Sequence, residues 1–190
     1  MGWLRNDVNF LKENKIISIK NFYTVDDNQR FKINFELENN YKKYNGLNCS
    51  YNFPIINYSD KFFEHLYARL LETCHKIFGV FSLNDENSKI CWCYRSSRNS
   101  FYRSWHNHQK TSTINAVYYY QIQDGDSISF LDKNNDEVKY YLTNEEILIF
   151  PNYLNHTANP PVISVFDECR YSINIEIKTN ETSEELFSRI

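Results

Sequence analysis

Apolar and polar residues alternate along much of the chain, and a period of two is typical of strands that bury one face. Turn residues separate the later stretches, in the segments QDGD, DKNND, PNYLN and NPP. Many short strands at this spacing, with few helices, predict an all-β fold, a sandwich or jelly roll. We predict strands over residues 15–22, 30–37, 89–95, 105–108, 113–122, 127–131, 137–142, 146–150 and 170–177.

One segment has a different period. Between residues 60 and 78 the apolar side chains recur three and four positions apart, as in an amphipathic helix: Phe63, Leu66, Leu70, Cys74 and Ile77. Asp60 can cap the start of this helix, and Gly79 can end it. We therefore predict one helix near 60–78 that braces the outer sheet of the jelly roll.

Length and composition fit one globular domain. The chain has 190 residues, of which 42% are hydrophobic, and a net charge of −3. We predict a single domain over 1–190, with N-terminal strands and the support helix in 1–88, a jelly-roll core in 89–178 and a tail in 179–190. No basic run stands out, so nucleic acid is not an expected partner. The isolated glycines exclude a P-loop and a dinucleotide fingerprint.

The chain carries no pattern that predicts export or membrane insertion. Charged residues interrupt the first fifteen positions, where a secretory signal would need an apolar stretch. No apolar run approaches the ~18 residues that a membrane span needs. Five cysteines at irregular spacing are typical of reduced thiols. We therefore expect a cytoplasmic protein.

Three histidines form the candidate metal site. His106 and His108 stand two residues apart, and on a strand such residues point to the same face. His156 follows the apolar strand ILIF about fifty residues later, where a neighbouring jelly-roll strand could return. Three ligands on one face leave open positions on an octahedral ion, as non-haem iron oxygenases require. Taken alone, such a histidine pair also occurs on solvated strand faces.

The last predicted strand carries a candidate anion site. Arg170, Ser172 and Asn174 alternate and therefore share a face. A guanidinium can hold a carboxylate through two parallel hydrogen bonds, and a nearby hydroxyl can add a third. Arg170 follows His156 closely enough for the next antiparallel strand to bring both into one cavity. A strand arginine is also commonly an exposed partner of an ion pair.

In order and spacing these motifs resemble a known family. The series WHNH, AVYYYQ, ISFLD, EEILIFPNYLNH and RYSIN over residues 90–178 is similar to the 2-oxoglutarate/Fe(II)-dependent oxygenases, in particular the small prolyl-hydroxylase-like type common in phages and marine bacteria. The resemblance implies a double-stranded β-helix (a cupin-like jelly roll), Fe(II), 2-oxoglutarate and O2. It also implies that Arg170 holds the distal carboxylate of 2-oxoglutarate with help from Ser172. The family mostly uses His-x-Asp/Glu, and here His108 stands at the carboxylate position.

Further residues are candidates for the same site. Tyr118 and Tyr120 share a face of their strand, and one of them could donate a hydrogen bond to 2-oxoglutarate; Tyr94 is another candidate. The third ligand is either His108 or a carboxylate from the QDGD turn, Asp124 or Asp126.

Three functions remain open at this point. The first is a dioxygenase that hydroxylates a small-molecule or peptide substrate and releases succinate and CO2. The second is a cupin-like three-histidine metal dioxygenase or isomerase that does not use 2-oxoglutarate. The third is a β-sandwich adaptor without catalytic activity. Jelly rolls host all three.

Overall fold

A computed structural model describes residues 8–24, 26–28, 30, 42–44, 47–49, 62–84, 89–97, 104–162 and 169–190. Short helices lie at both ends and one long helix lies between them: α1 (Val8–Glu13), α2 (Phe62–Phe78) and α3 (Ser183–Phe187). The strands are β1 (Ile17–Ile19), β2 (Lys42–Tyr44), β3 (Leu47–Cys49), β4 (Lys89–Ser96), β5 (Ile114–Gln121), β6 (Ser127–Leu131), β7 (Glu137–Tyr141), β8 (Glu146–Pro151), β9 (His156–Ala158) and β10 (Arg170–Ile177).

Two antiparallel sheets confirm the predicted jelly roll. The large sheet has the order β1-β8-β5-β10-β4-β3-β2, and the small sheet has the order β7-β6-β9. Consecutive neighbours in the large sheet are mostly distant in sequence, as crossover connections between two sheets require. Strands β10 and β5, at the centre of the large sheet, are buried along almost their whole length.

The core has two layers, one on each face of the large sheet. On the outer face, Tyr118 and Ile175 pack with Leu66 and Leu70 of α2. On the inner face, Val117 packs with side chains of the small sheet such as Phe130. The 3.6-residue period of α2 places its apolar stripe on the sheet, and the predicted bracing helix is confirmed.

Most predicted elements of the C-terminal half agree with the observed ones within one or two residues, but the strand predicted over 105–108 is wrong. Only His106 is paired there, in an isolated bridge with His156. The backbone N–H of His108 donates to Asn152, and its carbonyl accepts from Thr111 and Ser112. The chain therefore turns at His108 instead of continuing as a strand.

The N-terminal half differs more from the prediction. The strand predicted over 15–22 is limited to Ile17–Ile19, and the strand predicted over 30–37 lies, except for Arg30, outside the described residues. In the predicted tail, Thr182 and Glu185 form a reciprocal capping box that starts α3. None of the described helices combines the length and apolar character of a membrane-spanning helix.

Candidate metal centre

The three predicted histidines lie together. The backbone bridge between His106 and His156 joins the segment before β5 to the first residue of β9. The turn at His108 then brings its ring back to the other two, with ring centroids 5.1 Å from His106 and 5.2 Å from His156. One ligand nitrogen from each ring lies within 4.8 Å of the others, which is the only such group of ligands among the described residues.

Two of these rings are oriented by carbonyl groups of their own segments. Nδ1 of His106 lies 2.7 Å from the Ser104 carbonyl oxygen, and Nδ1 of His156 lies 3.0 Å from that of Leu154. A carbonyl oxygen only accepts hydrogen bonds, so each Nδ1 carries the proton and donates it. The lone pair of each neutral ring is then on Nε2, the form that a metal requires.

The third ring is oriented by a carboxylate from another part of the fold. Nδ1 of His108 lies 2.6 Å from Oε1 of Glu176 on β10. Both side chains are largely buried, with 14% and 6% of their surface exposed. The same reasoning places the lone pair of His108 on Nε2.

Burial favours the uncharged form of His106 and His156. Burial lowers the pKa of His106, although its bond to Ser104 opposes the shift. Burial and the two neighbouring rings hold the pKa of His156 well below its usual value. Neutral imidazoles on one centre suit a divalent transition metal such as iron, nickel or zinc. The donor set therefore fits the iron that the sequence predicted.

A cavity extends from the histidines along β10. The polar residues of one β10 face line it in a row, Arg170, Ser172 and Asn174. Ser172 is paired in register with Tyr94 and Tyr119 on the two neighbouring strands. The full lining is Trp92, Tyr94, Ser96, His106, Val117, Tyr119, Ser127, Ile128, His156, Ala158, Arg170, Ser172 and Asn174.

Arg170 is a buried cation with an unused donor. Only 2% of the residue is exposed, and its Nη1 has no hydrogen-bond partner among the described residues. Burial lowers its pKa, while the negative charge of nearby Asp126 opposes the shift. A buried guanidinium with an unsatisfied N–H is costly unless an anion completes its bonding. The cavity therefore fits an anionic ligand at this end.

No family model matches the sequence, and no curated protein matches it as a relative. Solved structures do resemble the fold. A Pseudomonas putida prolyl 4-hydroxylase superposes with a TM-score of 0.63 at 15% identity, over 92% of this chain and 97% of the other. The chain has the prolyl-hydroxylase fold. The family resemblance of the sequence is thereby confirmed for the fold.

Two more structures share the prolyl-hydroxylase fold. A Trichoplax adhaerens prolyl hydroxylase, solved with a peptide fragment of hypoxia inducible factor, has a TM-score of 0.59 at 16% identity, over 90% of this chain and 86% of the other. HygX from Streptomyces hygroscopicus, solved with nickel and 2-oxoglutarate, has a TM-score of 0.65 at 11% identity, over 96% and 90%. At these identities the likeness concerns the fold alone.

Within this prolyl-hydroxylase fold, the predicted tyrosines separate into two groups. Tyr94 lines the cavity. Tyr118 and Tyr120 do not, because they lie on the outer face of β5 with α2. Their hydroxyls donate to the carbonyls of Tyr23 and Arg30, at 2.6 and 2.9 Å. The tyrosine of β5 that lines the cavity is the one between them, Tyr119.

The carboxylates of the QDGD turn are not part of the histidine cluster. Asp126 is fully buried, and its two oxygens accept hydrogen bonds from the backbone N–H groups of Gln123 and Val162. It closes the turn and anchors the segment near Val162. Among the described residues, the ligand group holds histidines only.

Glu176 was not predicted. It continues the alternation of the polar β10 row, two residues after Asn174, so the sequence did carry a signal for it. The row runs from a cation at Arg170 to an anion at Glu176, which contacts the histidine cluster. Six residues of strand separate the two ends by about 20 Å along the backbone.

Proposed function

We propose that the protein is a 2-oxoglutarate- and Fe(II)-dependent oxygenase. The observation that carries this proposal is a cluster of three oriented histidines, two of which line a cavity that also holds a buried, incompletely bonded arginine. A 2-oxo dicarboxylate has matching chemistry, with a metal-chelating head and a distal anion. HygX, which shares the fold, was solved with nickel and 2-oxoglutarate.

In this proposal, one set of residues binds the iron and another binds 2-oxoglutarate. His106, His108 and His156 would hold the iron, which supplies the activation of dioxygen when bound. The Arg170 guanidinium binds the distal carboxylate of 2-oxoglutarate through charge-assisted hydrogen bonds, and the Ser172 hydroxyl can donate a further one. The apolar side chains between the two ends exclude water.

The proposed reaction is a hydroxylation. One oxygen atom of O2 enters a C–H bond of the substrate, and the other enters succinate as 2-oxoglutarate loses CO2. The substrate class is a small molecule or a peptide. A peptide is supported by the Trichoplax prolyl hydroxylase, which shares the fold and was solved with a peptide fragment.

We expect 2-oxoglutarate to stabilise the iron-loaded protein, measured anaerobically by thermal unfolding. A ligand that binds only the native state at 100 times its Kd adds about 2.7 kcal/mol. For a chain of this length that corresponds to a rise of roughly 5–10 °C in Tm. The matched control is 2-oxobutyrate, which keeps the chelating head and lacks the carboxylate for Arg170. The proposal would be contradicted if 2-oxoglutarate did not raise the Tm, or if 2-oxobutyrate raised it by the same amount.

The all-histidine ligand set supports a second candidate, a cupin-like dioxygenase or isomerase that does not use 2-oxoglutarate. Such an enzyme would bind iron but gain no stability from 2-oxoglutarate. The same unfolding experiment therefore separates the two. An adaptor without catalytic activity would not bind one iron ion per chain.

The placement of the β5 tyrosines leads to a paired prediction. We propose that Tyr119, on the face paired with Ser172, donates to 2-oxoglutarate in place of Tyr118. Removing one hydrogen bond to a charged group costs about 1.5–3 kcal/mol. Tyr119→Phe is therefore expected to weaken 2-oxoglutarate binding by at least tenfold in calorimetry. Tyr118→Phe, which loses its bond to the Tyr23 carbonyl, should bind 2-oxoglutarate normally. The reverse result would restore Tyr118 as the ligand contact.

A further inference from the structure

We propose that Glu176 is a positioning residue of the metal centre, which holds His108 in its ligating form and provides the negative charge of the site from outside the ligand set. The inference rests on the proposed function, because it requires a metal on the three histidines. It concerns a residue that neither the sequence motifs nor the histidine cluster includes.

The contact between the two side chains is short and shielded from water. Oε1 of Glu176 accepts the proton of His108 Nδ1 at 2.6 Å, and both groups are largely buried. Solvent and salt screen such a bond much less than a surface pair. The ring of His108 is thereby fixed in rotation and tautomer, with Nε2 on the opposite edge from the carboxylate.

Glu176 also differs from the other two ring partners. Ser104 and Leu154 are each two residues before the histidine that they orient, and both provide a neutral carbonyl. Glu176 is remote in sequence and charged, and it stands on the central strand of the large sheet. The ring that stands where the resembled family mostly has a carboxylate ligand is therefore itself bonded to a carboxylate.

This arrangement changes the charge of the centre. Three neutral imidazoles alone give the metal no anionic ligand, whereas the usual facial triad includes one carboxylate. An imidazole that donates to a carboxylate is a more basic ligand than one that donates to a carbonyl. The pair His108–Glu176 thus returns part of the missing negative charge to the metal across the ring.

Glu176 is better placed behind His108 than as a ligand itself. The group of mutually close ligand atoms contains the three histidines and not Glu176. Its oxygen is instead committed to Nδ1 of His108. Its neighbour in register on β5 is Asn115, a buried amide that accepts from Ser112.

The test measures the Fe(II) affinity of the full chain by anaerobic titration against a chelator, without 2-oxoglutarate. Glu176→Gln keeps the shape and removes the charge. Loss of such an outer partner typically costs 10–100-fold in metal affinity, and we expect a loss in that range. The matched control is Glu146→Gln, which neutralises a fully buried carboxylate of the same sheet that bonds Tyr140 and Thr143 instead of a histidine. Its Fe(II) affinity should equal that of the wild type.

The outcomes separate the two proposals. If the wild type binds no stoichiometric Fe(II), the proposed function itself fails. If the wild type binds Fe(II) and Glu176→Gln binds it equally well, the role of Glu176 is overturned while the metal site stands. Equal losses in Glu176→Gln and Glu146→Gln would also overturn it, since any buried carboxylate would then have the same effect.

A second measurement does not depend on the folding of a variant. In the Zn(II)-loaded wild type, nitrogen-15 NMR should show a proton on Nδ1 of His108 and zinc on Nε2. That Nδ1 proton should resonate further downfield than those of His106 and His156, because it is donated to a carboxylate and theirs are donated to neutral carbonyl oxygens. A His108 ring with zinc on Nδ1 would overturn the proposal.

Discussion

Replacing any one of His106, His108 and His156 with alanine is expected to abolish stoichiometric iron binding and all turnover. Each ring contributes one ligand to a centre that has only three from the described residues. With two imidazoles, water would occupy most of the coordination positions of the ion. The affinity of the protein for Fe(II) should therefore fall by orders of magnitude. Metal content after anaerobic loading and desalting measures the loss directly.

The control for this series is His65→Ala, an exposed histidine on α2. It should retain one iron per chain and the wild-type Tm. The decisive variant is His108→Ala. Full iron occupancy in that variant, together with loss of iron in Asp124→Ala or Asp126→Ala, would transfer the third ligand to the QDGD turn.

Arg170→Met should lower the affinity for 2-oxoglutarate and leave the affinity for iron unchanged. Methionine keeps the length of the side chain and removes the cation. A lost charge-assisted pair is worth about 2–3 kcal/mol, which corresponds to a Kd raised roughly 30- to 150-fold. Calorimetry on the iron-loaded protein under nitrogen measures it. The Tm without ligand should not fall, because Nη1 has no hydrogen-bond partner among the described residues.

The chain offers a matched control for this variant. Arg30 binds Glu145 at 3.1 Å and lies over the Tyr120 ring on the other side of β5. Arg30→Met therefore removes an equal charge away from the cavity and should bind 2-oxoglutarate as the wild type does. Normal affinity in Arg170→Met would mean that the anion site lies elsewhere.

The strands and site residues that could be predicted from the sequence are those on strands with one polar face and one apolar face. In β10 the polar residues Arg170, Ser172 and Asn174 occupy alternate positions, and this alternation predicts that they share one face of the strand. The same alternation extends to Glu176. The alternation alone assigns no role to this glutamate, because only the tertiary structure brings His108 to it.

The tyrosines of β5 show where the pattern contains no information. This central strand is buried on both faces, so every residue from Ile114 to Tyr120 is buried. Because β5 has no polar face, the sequence does not show whether its odd-numbered or its even-numbered residues face the cavity. Tyr118 and Tyr119 are equivalent in the sequence and lie on opposite faces in the fold.

The histidine pair was predicted correctly as neighbours but for an incorrect reason. Strand geometry would place His106 and His108 on one face, whereas the chain actually turns at His108. Backbone bonds from His108 to Asn152 and from Ser112 to His108 set that turn. These contacts depend on the loop after β8, which a local pattern does not contain.

The centre lies where three parts of the fold meet. His106 and His108 belong to the segment before β5, His156 opens a strand of the small sheet, and Glu176 belongs to the large sheet. An ion bound by the three histidines would link the segment before β5 directly to the small sheet. Its contribution to folding grows with the free metal concentration. At low free iron this added stability would disappear, and a larger fraction of the chain would be open to proteolysis.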